Sequence, residues 1–251
     1  MSHFFLTGIV KLMAPELTQL TLSWLKANDF EFTHFREVNS TSTWAKETAL
    51  QTQQPFRLII SDLQSQGRGR NTNTWINTLQ PGDSLLSTWC FRSFQSPQPI
   101  LAPRLGLSLI KALKKISLDL PLSLKAPNDV FLGTDKLAGL LIEVVEQGLN
   151  KEILIGLGLN VLSSPENMKA CHLSQSVSKH LIYQNWAHFL SALKQQFQNC
   201  CDNSQNSLSQ NEIIDLLSYL NQNPNLSAPY SRLEPDGTLW QSGKRILWSE
   251  L

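Results

Sequence analysis

The 251-residue chain has few of the features that would assign it quickly. Its net charge is only +1, so bulk charge predicts neither a nucleic-acid scaffold nor a membrane-surface protein. Its four cysteines, Cys90, Cys171, Cys200 and Cys201, have no metal-ligand spacing, and the adjacent pair suits neither a zinc knuckle nor a disulfide between its members. Reduced thiols in a cytoplasmic setting are therefore expected. The five histidines (His3, His34, His172, His180, His188) are scattered and read as structural or surface residues. No Walker lysine-serine pair, no HExxH and no GxSxG occurs. The apolar patch at 4–10 is too short to span a bilayer and lacks a signal-cleavage pattern. Charged residues make up 16% and apolar residues 41%, which excludes a disordered chain and allows a full core.

What is present is a mixture of periods. Leu17, Leu20, Trp24 and Leu25 share one helical face, giving an early helix, and Leu105, Leu109, Leu113 and Ile116 recur at the same spacing, giving a helix over 102–117. Apolar runs at 56–62, 84–91, 122–125, 130–132, 137–145 and 151–161 read as strands, several joined by hairpin turns such as Gly133-Thr134-Asp135. Trp186, Phe189, Leu190, Leu193 and Phe197 mark another helix, the polar stretch 199–211 a loop, and 213–220 a last helix. Turn signals at Pro235-Asp236-Gly237 and Ser242-Gly243 predict a small β-meander at the end. The expectation is an α+β fold: a mixed β-sheet domain with flanking helices and a small β-meander, SH3-like, at the C-terminus. The corresponding divisions are a helical segment at 1–35, a catalytic domain at 36–222 and a β-segment at 223–251.

Five clusters carry chemistry. In Gln64-Ser65-Gln66-Gly67-Arg68-Gly69-Arg70, continuing to Trp75, glycines allow close backbone approach, arginines offer forks for carboxylate or phosphate, and the indole offers a flat face. Ser40-Thr41-Ser42-Thr43 is either a helix N-cap or a hydroxyl cluster for a polar ligand head. Lys125-Ala126-Pro127-Asn128-Asp129 is a strand-end lysine on a turn, either solvated or aimed at an anion. Lys136-Leu137-Ala138-Gly139 adds a second lysine. Gly156-Leu157-Gly158-Leu159-Asn160 marks close approach of a ligand or of another backbone.

In this order, the clusters resemble the motifs of the biotin protein ligases, over about residues 36–175. The likeness is to the monofunctional type: only about 35 residues precede the motifs and they are not basic, so no DNA partner is expected. The resemblance implies ATP-dependent formation of biotinyl-5′-AMP, then transfer of biotin to a lysine of the biotin carboxyl carrier domain of acetyl-CoA carboxylase. It implies ATP, biotin and Mg2+ as ligands, no protein metal centre, no membrane partner, and a monomer or homodimer. Lys125, Arg68 and Arg70 would be catalytic. Ser40, Thr41, Ser42, Gln64, Gly67, Arg68, Gly69, Arg70, Lys125, Gly139 and Gly156 would hold biotin, the 67–70 backbone wrapping the acyl phosphate. Arg70, Trp75, Asn128, Lys136 and Asn160 would hold the nucleotide, with Asp129 on its magnesium side.

The chain departs from that pattern at Ser42 in place of asparagine, at Asn71-Thr72-Asn73 in place of Arg-Gly-Arg, and at Ala126 in place of tryptophan. Its tail is also shorter than the usual barrel. These changes imply weaker retention of the acyl-adenylate and a wider pocket. The alternatives are a weakened or non-catalytic biotin or adenylate binder, and a lipoate or octanoate transferase.

Overall fold

The computed structural model describes residues 15–248 except Thr72, Leu79, Asn167 and Gln205; the apolar patch at 4–10 lies outside the described residues. Helix α1 (Glu16–Ala27) leads into strand β1 (Glu31–Val38), the short helix α2 (Thr41–Glu47), β2 (Phe56–Gln64), β3 (Ser84–Ser93) and α3 (Leu101–Leu113). Strands β4 (Leu122–Lys125), β5 (Asp129–Leu132), β6 (Asp135–Gln147) and β7 (Asn150–Asn160) follow. The helices α4 (Lys179–Asp202) and α5 (Gln210–Asn221) precede β8 (Tyr230–Leu233), β9 (Leu239–Gln241) and β10 (Lys244–Ile246). The first seven strands form one sheet in the order β1-β2-β3-β7-β6-β5-β4, and the last three form a separate antiparallel sheet. Only β1 and β2 pair in parallel in the large sheet, so the α+β expectation with a mixed sheet holds.

Side chains alternate across a pleated sheet, so each central strand feeds two layers. Leu58, Ile60, Trp89, Phe91, Ile153 and Ile155 join the main core with α1, α3 and α4. There the indole of Trp89 packs 6.1 Å from Trp24 and 5.7 Å from Phe197. Two indoles fasten α1 to α4: Trp24 donates to Ser191 Oγ at 2.8 Å, and Trp186 donates to Thr21 Oγ1 at 2.9 Å. On the opposite face, Ile59, Cys90 and Leu154 make a smaller core with Ala45 of α2.

The structure corrects the sequence reading in two places. The expected helical segment at 1–35 contains most of β1, which is an edge strand of the large sheet. Its apolar residues do not alternate because Phe32 packs on the main core and Phe35 on the smaller one. The expected loop at 199–211 is helical as far as Asp202, because Cys201 continues the buried stripe of Phe197. The turn that remains is held by Arg104 of α3. This buried guanidinium donates to the carbonyls of Asn203, Asn206 and Ser207 and pairs with Glu212 at 2.9 Å.

A second buried arginine fixes α2. Arg57 of β2 and Glu152 of β7 pair across the intervening strand β3, with contacts of 2.8 and 3.2 Å. Arg57 also donates to the Ala45 carbonyl and to Thr48 Oγ1, each at 2.9 Å, while Glu152 accepts the Leu50 N–H at 2.8 Å. Arg57 and Glu152 are 5% and 2% exposed, so removing one partner strands the other charge in a dry environment. Arg57→Ala is therefore expected to cost about 3–5 kcal/mol in denaturant unfolding. A loss below about 1 kcal/mol would show that the pair does not secure this helix.

Candidate active site

A cavity of about 230 Å³ opens on the α2 face of the sheet. Its inner wall begins with the start of α2. Ser40 is buried and caps the helix by accepting the Thr43 N–H, which turns Thr41 and Ser42 into the cavity while Ser40 itself does not line it. The Thr41 N–H and hydroxyl both donate to the side-chain oxygen of Gln64, at 2.7 and 3.1 Å. Both bonds fall on the oxygen of that amide, which orients its NH2 the opposite way. Behind them, Thr88 donates to Thr41 Oγ1 at 3.0 Å and lies 3.2 Å from Ser42 Oγ. The N-cap reading holds for Ser40, while Thr41 and Ser42 are the hydroxyls of the cluster that border the cavity.

The floor is made of glycines. Gly139 of β6 and Gly158 of β7 are register partners, and Gly156 pairs with Thr88 on its other side. A Cβ on Gly158 would stand 2.4 Å from the Trp75 ring, and one on Gly156 would stand 2.5 Å from Ser42 Oγ. The close approach predicted for this motif is therefore made by the protein's own indole and hydroxyl. Asn160 ends the same strand outside the cavity: its amide donates to the Cys171 carbonyl at 3.1 Å, and its oxygen faces Ser84 Oγ. Its expected nucleotide contact is not supported by this placement.

The outer wall is the glycine-arginine segment, folded as a tight hairpin. The Trp75 N–H donates to the Gly67 carbonyl at 2.9 Å, the Gly69 N–H to Asn73 at 2.8 Å, and the Asn73 N–H to Arg70 at 3.0 Å. Asn71 takes φ 54° at the tip, a left-handed conformation that asparagine tolerates better than most residues. A Cβ on Gly67 would meet the Trp75 carbonyl at 2.5 Å, so the glycine permits the hairpin and does not line the cavity. The Gly69 N–H is committed within the hairpin, so of the 67–70 backbone expected to wrap an acyl phosphate this donor is already bonded in the ligand-free chain. Arg68, Gly69, Arg70 and Trp75 do line the cavity.

Lys125, Asn128, Asp129 and Lys136 complete the rim. Lys136 pairs with Asp129 at 2.8 Å and lies 5.5 Å from the centre of the Trp75 ring, so the indole is held between a cation and the glycine floor. The Asn128 side chain donates to the Leu140 carbonyl, while the Leu140 N–H donates to the Asn128 carbonyl at 3.0 Å, clipping β6 to the turn. Arg68 reaches along β6 to Glu143 and bonds both carboxylate oxygens, at 2.8 and 3.0 Å; Lys46 of α2 bonds the same carboxylate at 3.2 Å. Burial pushes the Glu143 carboxyl up, but the bonds from Arg68 and Lys46 outweigh it and hold it below the ordinary carboxylate range.

Sequence reasoning missed Ser87, Thr88, Leu141, Lys46 and Glu143. The signal for Glu143 was its spacing: Gly139, Leu141 and Glu143 alternate along β6 and share the cavity face. The thiols stand apart. Burial pushes Cys171 up to about 11 and raises Cys90 further, so both are protonated structural residues.

The glycine floor gives a direct expectation. Gly158→Ala should displace the Trp75 indole and cost about 1–3 kcal/mol in thermal unfolding, whereas the same change in a Trp75→Ala background should cost much less. Equal costs in both backgrounds would show that the indole does not rest on this glycine.

Residues 34–160 match the Biotin/lipoate A/B protein ligase family. The bifunctional ligase/repressor BirA of Escherichia coli is 34% identical over 109 residues, which are 41% of this chain and 32% of that protein. The BirA of Bacillus spizizenii is 29% identical over 151 residues, 55% of this chain and 45% of the relative. The match thus spans less than half the length of these curated relatives. Among solved structures, a biotin protein ligase from Aquifex aeolicus in complex with biotin and ATP superposes with a TM-score of 0.63 at 22% identity, covering 86% of this chain and 95% of that one. A biotin acetyl coenzyme A carboxylase synthetase from Helicobacter pylori with bound biotinylated ATP gives 0.55 at 24%, covering 86% and 99%. At these identities the structural likeness is one of fold. The family match covers half of the sequence and almost all of the cavity-bearing sheet, so the chain belongs to the biotin/lipoate A/B protein ligase family.

Proposed function

We propose that this chain is a biotin protein ligase, which forms biotinyl-5′-AMP from biotin and ATP and passes biotin to a lysine of a carboxyl carrier protein, that of acetyl-CoA carboxylase. The observation that carries the reading is a single cavity. It joins a hydroxyl-amide wall (Thr41, Ser42, Gln64) to the cations Arg68, Arg70, Lys125 and Lys136, beside the Trp75 indole. The solved neighbours, a biotin protein ligase with biotin and ATP and a biotin acetyl coenzyme A carboxylase synthetase with biotinylated ATP, support biotin over lipoate or octanoate as the acyl group.

The chemistry asks two anions to meet. A biotin carboxylate oxygen attacks the α-phosphorus of ATP, and the bond to the β-phosphate breaks to release pyrophosphate. The amine of the carrier lysine then attacks the acyl carbon, and AMP leaves. Neither step needs a nucleophilic side chain from this protein. Arg68, Arg70, Lys125 and Lys136 neutralise the reactants and the charge that builds on phosphorus. The hydroxyls of Thr41 and Ser42 and the amide of Gln64 suit the polar ureido ring of biotin. Adenine would stack on the Trp75 face that Lys136 covers in the ligand-free chain, with the lysine turning to the phosphates. Magnesium takes one or two carboxylates together with substrate phosphates, and Asp129 is the cavity carboxylate that fits it, supplying charge neutralisation on the phosphates when bound.

The reading carries no DNA partner. Helix α1 has one basic residue in its last turn, Lys26, and buries its apolar face in the main core. A cytoplasmic site of action accords with four free cysteines. No described helix is long and apolar enough to cross a membrane.

The test is transfer of labelled biotin to the carrier domain, with pyrophosphate release followed alongside. Lys125→Ala is expected to lower transfer by about 100-fold or more, with a stability change within about 0.5 kcal/mol because its side chain is exposed at the rim. Binding of biotin without pyrophosphate release by the unaltered protein would favour a non-catalytic binder. Retained transfer in Lys125→Ala would remove that lysine from the machinery.

A further inference from the structure

Glu143 lies outside the cavity lining, yet it holds the guanidinium that the ligase reading assigns to the anion. The contact is a fork-to-fork pair, with Nη1 and Nη2 of Arg68 on separate carboxylate oxygens at 2.8 and 3.0 Å. The Nη1–Nη2 edge of the guanidinium is thus occupied, and a phosphate approaching that edge competes with the carboxylate. Arg68 cannot offer that fork to a carboxylate and a phosphate at once. Its side chain is 38% exposed and that of Glu143 is 15% exposed, so the arginine is the partner with room to turn.

Lys46 decides whether such a turn is affordable. Its Nζ lies 3.2 Å from Glu143 Oε1, on the oxygen also held by Arg68 Nη2. When Arg68 leaves, the partly buried carboxylate keeps a cation and is not stranded. The arrangement is three-membered: one anion on β6, one cation fixed to it from α2, and one cation on the hairpin that also borders the cavity.

We propose that Glu143 is a positioning residue that acts as resident counter-ion for Arg68. It holds the guanidinium at the cavity rim in the ligand-free chain, yields it to the incoming phosphate, and remains paired with Lys46. This rests on the reading of the cavity as an adenylating site. ATP affinity then includes the cost of breaking the Arg68–Glu143 pair, and removing the carboxylate strengthens binding. A purely structural role for Glu143 predicts the opposite sign.

The experiment is calorimetric titration with ATP of the unaltered chain, of Glu143→Gln, and of both in an Arg68→Ala background. Glu143→Gln is expected to bind ATP about fivefold more tightly, and the gain should vanish when Arg68 is absent. Glu47→Gln makes the same change in formal charge beside Lys46, on an exposed position, and should leave the affinity unchanged. Unchanged or weaker binding by Glu143→Gln overturns the proposal, as does a gain that persists without Arg68 or is matched by Glu47→Gln. If the unaltered chain neither binds ATP nor releases pyrophosphate with biotin, the ligase reading itself fails and takes this one with it. If it turns over normally and the carboxylate variant gains nothing, only the counter-ion role falls.

Discussion

The site depends on an ion pair that never touches it. Arg57 and Glu152 meet across β3 and between them bind the Ala45 carbonyl, Thr48 and the Leu50 N–H, which fixes the C-terminal end of α2 on the sheet. A helix of seven residues has little stability of its own. With its far end clamped and Ala45 packed on Ile59, Cys90 and Leu154, its first turn has one place to go. That place puts Thr41 beside Gln64 and Ser42 against Gly156. The buried charges thus set the position of the hydroxyls, and the hydroxyls form one wall of the cavity.

The opposite wall obeys a steric constraint. The Trp75 indole lies where only hydrogen atoms project from β6 and β7, over the register pair Gly139 and Gly158. Lys136 covers its other side and is itself paired with Asp129. Because Trp75 closes the hairpin through its bond to Gly67, placing the ring also places Arg68 and Arg70. The loop that carries the arginines is therefore anchored by an aromatic contact, which does not itself use their charges.

Much of this was legible in the sequence, for a physical reason. Glycines in a strand and arginines between glycines are costly choices, so a close approach at 156–158 and a special loop at 67–70 could be read before any fold was known, though not that the loop is a hairpin or that the glycines form one floor. The strands with one clean apolar face could be read as well. What escaped was anything whose meaning depends on a distant partner. β1 lacks alternation because its two faces serve two different cores. Asn160 looked like part of the glycine motif, but its amide serves Cys171 eleven residues on. Arg57, Glu152 and Arg104 are ordinary charges in the sequence, and become organising centres only when the fold buries them.

The charge pattern of the cavity follows from the same division of labour. Four cations border it, while Asp129 is the carboxylate in its lining and is already paired with Lys136. A pocket so biased attracts anions but also repels itself, and the ligand-free protein must hold those cations close to one another. Two devices lower that cost. Lys136 is shared between Asp129 and the indole, and Arg68 is turned outward onto Glu143, which Lys46 helps to keep ionised. On the proposed ligase reading, neither device places a carboxylate where two anions would react, because Glu143 lies off the lining and Asp129 sits at the rim with its own cation. Positive charge is stored beside the cavity, and the negative charge that balances it is kept one step away. The departures from the family pattern fit this arrangement. Asn71 occupies a left-handed turn where an added arginine would bring more charge and a worse conformational fit, so the hairpin keeps only the two arginines that the glycines and Trp75 hold in place.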